Sequence, residues 1–103
     1  MPLTALPFSI RELASRPPSN SRDSKVLAAS VAEAFVVPQE AKFAIFSSTA
    51  DFWADESATA VVGIDSTDGS SAELNPAAWQ LDGVRQISVI SAAVCTVNIS
   101  WYS

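Results

Sequence analysis

Eleven carboxylates, six basic side chains, one thiol and no imidazole make up the charged and strongly nucleophilic groups of this chain. Without His there is no Ser-His-Asp triad, no Cys-His pair and no His-bearing zinc site. A single cysteine, Cys95, cannot form a disulfide within one chain. The many serines have no basic neighbour that would activate a nucleophile. The carboxylates remain. Asp65, Asp68 and Glu73 flank Gly69 in one polar loop, and oxygen-rich loops can hold calcium. The EF-hand pattern requires acids at alternate positions before the Gly and a Glu six residues after it. This loop has neither, so it reads as a solvated turn. Asp51, Asp55 and Glu56 surround Trp53, and acids beside an aromatic ring are the arrangement of a glycosidase or sugar-binding cleft. Ordinary loop acids are the favoured reading there, with sugar binding as the alternative. The expectation is a protein that is not an enzyme and needs no metal or cofactor.

Large rings are the other notable groups. Trp101 fits the inward face of a closing strand, and Trp79 follows a proline turn, where it would plug one end of a core. Trp53 and Tyr102 are expected to be partly exposed, and exposed aromatic rings are enriched at protein interfaces. Cys95 is expected to be buried and reduced, as a small apolar residue.

Charge narrows the partners. The net charge is -5, and four of the six basic residues (Arg11, Arg16, Arg22 and Lys25) lie in the first 25 positions. Neutralising phosphates takes Lys and Arg, so no nucleic acid partner is expected for the body of the chain. No stretch approaches the ~20 apolar residues that span a bilayer, so no membrane partner is expected either. Residues 1–20 lack a charged start and a continuous apolar core, which points to a chain made in a cytoplasm.

These residues must be positioned by a small fold. The chain has 103 residues and is 49% hydrophobic, enough for one core. Residues 1–24 hold Pro2, Pro7, Pro17 and Pro18, which exclude them from helix interiors and sheet ladders. Ser9 and Glu12 form a capping box for one short helix, stopped by Pro17. This segment reads as an N-terminal arm and linker. Its apolar residues Leu3, Leu6, Phe8, Ile10 and Leu13, with Arg11 and Arg16, are candidate partner-binding residues, joined by Trp53 and Tyr102 on the body.

From residue 25 onward the pattern is alternating. Strands are expected over residues 25–30, 32–37, 42–47, 51–54, 58–64, 84–90 and 94–102, with a single helical turn at 77–79. In the third of these, Phe43 and Ile45 point one way and Ala44 and Phe46 the other, so both faces must be covered. In the last, Cys95, Val97, Ile99 and Trp101 share an inward face, and Thr96, Asn98, Ser100 and Tyr102 a polar outward one. Short strands separated by polar turns imply an all-β fold. The expected architecture is a small antiparallel β-sandwich or barrel, jelly-roll-like, over residues 25–103, with the extended arm over 1–24.

The stretch KFAIFSSTADFW, the loop TDGSSAELNPAAWQL and the closing strand ISVISAAVCTVNISWY together resemble a group of small proteins encoded among tailed-bacteriophage structural genes. The likeness spans roughly residues 40–103. It implies a virion structural protein with no catalytic residues. The expected role is a capsid decoration or cement subunit, held by the major capsid protein or neighbouring virion subunits and homo-oligomeric in the particle. The alternatives are a head–tail neck or tail-associated subunit and, in another class, a carbohydrate- or receptor-binding module.

Overall fold

The computed structural model describes residues 3–5, 17–63 and 65–103. Eight strands alternate between two sheets: β1 Arg22–Leu27, β2 Glu33–Val36, β3 Phe43–Ser48, β4 Trp53–Asp55, β5 Glu73–Leu74, β6 Ala78–Gln80, β7 Gln86–Ile90 and β8 Cys95–Tyr102. One sheet has the order β1-β8-β3-β6 and the other β2-β7-β4-β5. All pairings are antiparallel. First pairs with last, second with seventh, third with sixth and fourth with fifth. The chain is thus one long hairpin, folded over so that β3 also meets β8 and β4 also meets β7. That nesting is the winding of an eight-stranded jelly-roll sandwich.

Period-two alternation builds the core. Leu27, Ala44, Phe46, Cys95, Val97, Ile99 and Trp101 project from the first sheet onto Phe35, Ala54, Ile87 and Val89 of the second. Phe52, Val37 and Leu81 close the layer from the connecting loops. Phe46 is the hub of the rings, with its centroid 6.0 Å from that of Phe52 and 5.1 Å, edge to face, from Trp79. Such tilted pairs add to the area term.

Several expectations shift. Residues 58–63 form no strand, and Ile64 lies outside the described residues. Residues 77–79 make no helical turn; Ala78–Gln80 is β6, paired with β3, because Trp79 gains burial against Phe46 there. Glu73–Leu74, read as loop, pairs with β4. The short helix expected between Ser9 and Pro17 lies outside the described residues, as do Leu6, Phe8, Ile10, Arg11, Leu13 and Arg16.

The boundary between residues 24 and 25 falls inside β1, because Arg22, Asp23 and Ser24 pair with Ser100, Ile99 and Asn98. The residues before β1 are tied to the same strand. Ser21 O accepts from Trp101 N at 2.9 Å, and Ser19 Oγ donates to Trp101 O at 2.7 Å. Thr4 and Asn20 exchange backbone-to-side-chain bonds of 2.9 and 3.0 Å, and Ser103 N donates to Thr4 O at 2.9 Å. The prolines keep this segment out of the ladder only where they stand. Its polar residues satisfy the end of β8.

Tyr102 is the clearest correction. It does project from the outward face of β8, but it is 0% exposed and its hydroxyl donates to Pro17 O at 2.7 Å. Ser100 and Ile45, on the same outward face, are buried as well. The outer face of β8 is thus buried at Ser100 and Tyr102 and half-buried at Thr96 and Asn98.

The open side of the sandwich lies where β1 and β2 run as adjacent edges. Bare edges invite pairing with another chain, and inward-pointing charges blunt them. Asp23 turns inward and accepts from the Trp101 indole nitrogen at 2.9 Å. Lys25 also turns inward and sets its ammonium 5.9 Å from the centre of the Phe35 ring. On the opposite side, the Trp79 indole nitrogen donates to Glu73 Oε1 at 3.0 Å and ties β6 to β5.

Cys95 is 1% exposed, with its thiol directed at Ala50 O across 3.5 Å. A thiol reagent should therefore label native protein only as fast as it unfolds, and Cys95→Ser should lower stability by about 1–3 kcal/mol. Rapid stoichiometric labelling without denaturant would contradict this placement.

Candidate functional site

Of the carboxylates singled out in the sequence, Asp55, Glu56 and Glu73 line one hollow of about 280 Å³ with Trp79, and several are already engaged by the chain. Asp51 accepts from Asn75 Nδ2 at 2.9 Å, at the junction of two loops. Asp55 Oδ1 accepts from Ser57 N, Ser57 Oγ and Ala58 N at 2.8, 3.1 and 3.1 Å, which folds the chain into a local turn. Glu73 is engaged by Trp79. Asp68 accepts from Ser70 Oγ at 2.6 Å, Ser66 Oγ at 2.8 Å and Ser70 N at 3.0 Å. Among the described residues, no group of three or more His, Cys, Asp or Glu side chains is placed to hold a metal ion.

The hydrogen bonds to Asp68, the Ser70 hydroxyl foremost and then Ser66 and the Ser70 amide, hold its carboxyl down at about 2 against an ordinary 3.8. Its contribution to the turn is therefore present above the ordinary value and lost as pH falls through about 2.

Trp53 occupies a different environment from the one a sugar platform requires. It projects from the outer face of the second sheet, because its neighbour Ala54 is the residue that enters the main core. There it meets Ala60, Ala72 and Ile90, with Ala32 and Val62 alongside. This is a second, smaller core, on the outside of the sandwich. The long segment after β4 builds it by crossing the sheet instead of joining it. Ala60 N, which a strand would have used in the ladder, donates to Ser88 Oγ at 2.9 Å. Gly63 completes the cover over the indole: a Cβ at that position would stand 2.9 Å from Trp53 Nε1 and 3.2 Å from Cε2 and Cζ2. The ring is half-buried, with Gly63 of its own chain against the indole.

Surface hollows are shallow. One of about 370 Å³ is lined by residues 46–52 and 75–77, including Phe46, Asp51 and Asn75. Some of its polar groups are engaged by the chain: Phe52 N donates to Asn75 Oδ1 at 3.0 Å and Ser48 Oγ to Ala50 O at 2.7 Å.

Of the expected partner-binding residues, the structure thus places three. Leu3 packs against the main core, Trp53 lies in the outer one, and Tyr102 is buried beside Pro17. They are not brought together on one surface. What sequence reasoning missed is the set of large apolar side chains left in solvent: Val26, Val31, Val36, Val61, Leu74 and Val94. Alternation counted five of these as part of a strand or its flank, and Leu74 was read as loop. The sign that sets three of them apart is the lack of any charge in residues 26–32 and 86–103.

Two measurements check the site. Gly63→Ala should destabilise the fold by about 1–3 kcal/mol through overpacking against Trp53, read from urea unfolding with an unchanged slope. A neutral effect would mean that the cover is not packed. An NMR titration should place the Asp68 carboxyl midpoint near 2, rising toward 3.8 in Ser70→Ala; a midpoint near 3.8 in the parent chain would remove the clamp. No family of known proteins, no curated protein and no solved structure matches this chain.

Proposed function

We propose that this chain is a virion structural subunit of a tailed bacteriophage, a decoration or cement protein that attaches to the capsid shell and stabilises it. Two lines support the reading. The first is the resemblance of residues 40–103 to small phage structural proteins. The second is the sandwich itself, since jelly rolls serve both viral capsids and lectins. That second line is an analogy at the level of the fold and carries no chemistry of its own.

The observation that carries the choice between those two uses is the cover over Trp53. A lectin-type reading needs an open aromatic face beside free polar groups. Here the indole is packed against Ala60, Ala72, Ile90 and Gly63, and the neighbouring acids Asp51 and Asp55 already accept hydrogen bonds from the chain. A packing subunit, by contrast, needs exposed apolar side chains, and the sandwich presents six large ones. In this reading the role is structural and not enzymatic. The anchoring residues on the shell are Leu6, Phe8, Ile10 and Leu13 of the arm, with Arg11 and Arg16 pairing with an acidic surface. Many copies acting together turn modest contacts into firm attachment. The head–tail neck remains the alternative within the same class, and copy number separates the two.

The test uses particles lacking the subunit. Full-length protein should co-sediment with them in numbers comparable to the shell subunits. A chain with Leu6, Phe8, Ile10 and Leu13 all replaced by Ser should fold but stay in the supernatant. No binding by the full-length chain would overturn the virion reading. Equal binding by both chains would move the anchor from the arm to the sandwich.

A further inference from the structure

Two Asp-Gly dipeptides stand in this chain, Asp68–Gly69 and Asp82–Gly83. Both occupy loops, the first between β4 and β5 and the second between β6 and β7. All four residues are exposed. Gly69 and Gly83 have φ of +87° and +80°, the left-handed region that favours glycine. A Cβ at either would meet nothing within 4 Å, so backbone conformation, not crowding, is what calls for glycine there.

Glycine in that place has a chemical consequence for the aspartate before it. The amide nitrogen of the following residue can attack the aspartyl Cγ. A C–N bond forms, the carboxyl hydroxyl leaves with the amide proton as water, and a five-membered imide results. Water then reopens the ring at either carbonyl. Opening at the side-chain carbonyl restores aspartate. Opening at the main-chain carbonyl gives isoaspartate, in which the main chain runs through the side-chain carbons and the mass is unchanged. A side chain on the attacking residue hinders the first step, and glycine has none. The other four aspartates, Asp23, Asp51, Asp55 and Asp65, precede Ser, Phe, Glu and Ser.

The two dipeptides differ in how the carboxylate is held. Asp68 Oδ1 accepts from Ser70 Oγ at 2.6 Å, Ser66 Oγ at 2.8 Å and Ser70 N at 3.0 Å. Three donors on one oxygen hold the side chain in one arrangement, and ring closure must turn it out of that arrangement. The same bonds hold the carboxyl at about 2 against an ordinary 3.8, so the neutral acid, the form that loses water, is scarce there. Asp82 has no such restraint: among the described residues, no hydrogen bond or ion pair engages its carboxylate.

We propose that Asp82–Gly83 is a site of spontaneous isomerisation to isoaspartate, and that the serine clamp spares the otherwise equivalent Asp68–Gly69. The modification falls between anchored residues. Leu81 is buried in the main core and Val84 packs against it. Leu81 N donates to Lys42 O at 2.7 Å, and Arg85 O accepts from Val37 N at 3.0 Å. Isoaspartate adds one carbon to the main chain between these ties. The inference concerns the chemistry of the chain itself and does not rest on the virion reading.

The test is to incubate the full chain for weeks at mildly acidic pH and physiological temperature, beside the same chain unfolded in guanidinium chloride. Cleavage after Glu73 separates the two sites. Isoaspartate in each fragment is then read by enzymatic methylation of its free main-chain carboxyl and by altered chromatographic retention at unchanged mass. Native protein should accumulate isoaspartate at Asp82 at least about fivefold faster than at Asp68, because only Asp68 is held in its ionised form. In the unfolded chain the two rates should converge. Ser66→Ala combined with Ser70→Ala should raise the Asp68 rate at least about threefold and leave the Asp82 rate unchanged. The melting temperature should stay near that of the parent, since Ser70 is exposed and Ser66 half-buried in a loop. Equal native rates, or no isoaspartate at Asp82 while the unfolded chain accumulates it, overturn the proposal. So does a difference that persists in the unfolded chain, or a double variant whose Asp68 rate stays at the parent value.

Discussion

Burial of the last four residues of β8 on both faces is the constraint on which the rest of the structure depends. The strand is uncharged over its eight residues and pairs with β1 on one side and β3 on the other. Its inner face, Cys95, Val97, Ile99 and Trp101, supplies the middle of the main core. Its outer face would be wet in a bare sandwich, yet Ser100 and Tyr102 are buried there. Two large rings in succession, Trp101 and Tyr102, point to opposite faces, and each brings a polar group that needs a partner. Asp23 meets the indole from the edge strand, and Pro17 O meets the phenol from the segment before it. The residues preceding β1 are thus part of the sandwich's own hydrogen-bonding system.

The second sheet solves the same problem with different material. Its outer face carries Trp53 and Ile90, and among the described residues no further strand lies over them. The polar segment between β4 and β5 covers them instead, with small residues at the points of contact: Ala60, Ala72 and Gly63. A segment that crosses a sheet must satisfy its backbone without a ladder. Here Ser88 Oγ, Asp55 and Asp68 provide acceptors and local turns. Asp55 and Asp68, read in the sequence as an ordinary loop acid and part of a solvated turn, are thereby used as structural acceptors.

The winding also segregates charge. Odd-to-even connections, β1–β2, β3–β4, β5–β6 and β7–β8, must all emerge at one end of a jelly roll, and the even-to-odd connections at the other. Charged residues are concentrated in the second set.

How much of this was legible in the sequence depends on the range of the interaction. The all-β class, the inward set Cys95–Val97–Ile99–Trp101 and the two covered faces of β3 follow from alternation, because the pleat fixes which residues share a face whatever the partner. The lack of a triad or His-bearing zinc site followed from composition alone. Alternation failed at residues 58–63, which carry β-favouring valines but cross the sheet, and at Ala78–Gln80, which follow a proline turn but pair with β3. Local propensity cannot distinguish a strand in a ladder from an extended segment laid over one, since the difference lies in where distant backbone groups find partners. The burial of Tyr102 depended on Pro17, 85 residues away, and the cover over Trp53 on the return of residues 60–63. Those contacts, and the gathering of the four odd-to-even connections at one end, were decided by the nested topology, because only the closed fold brings together segments that the sequence keeps far apart.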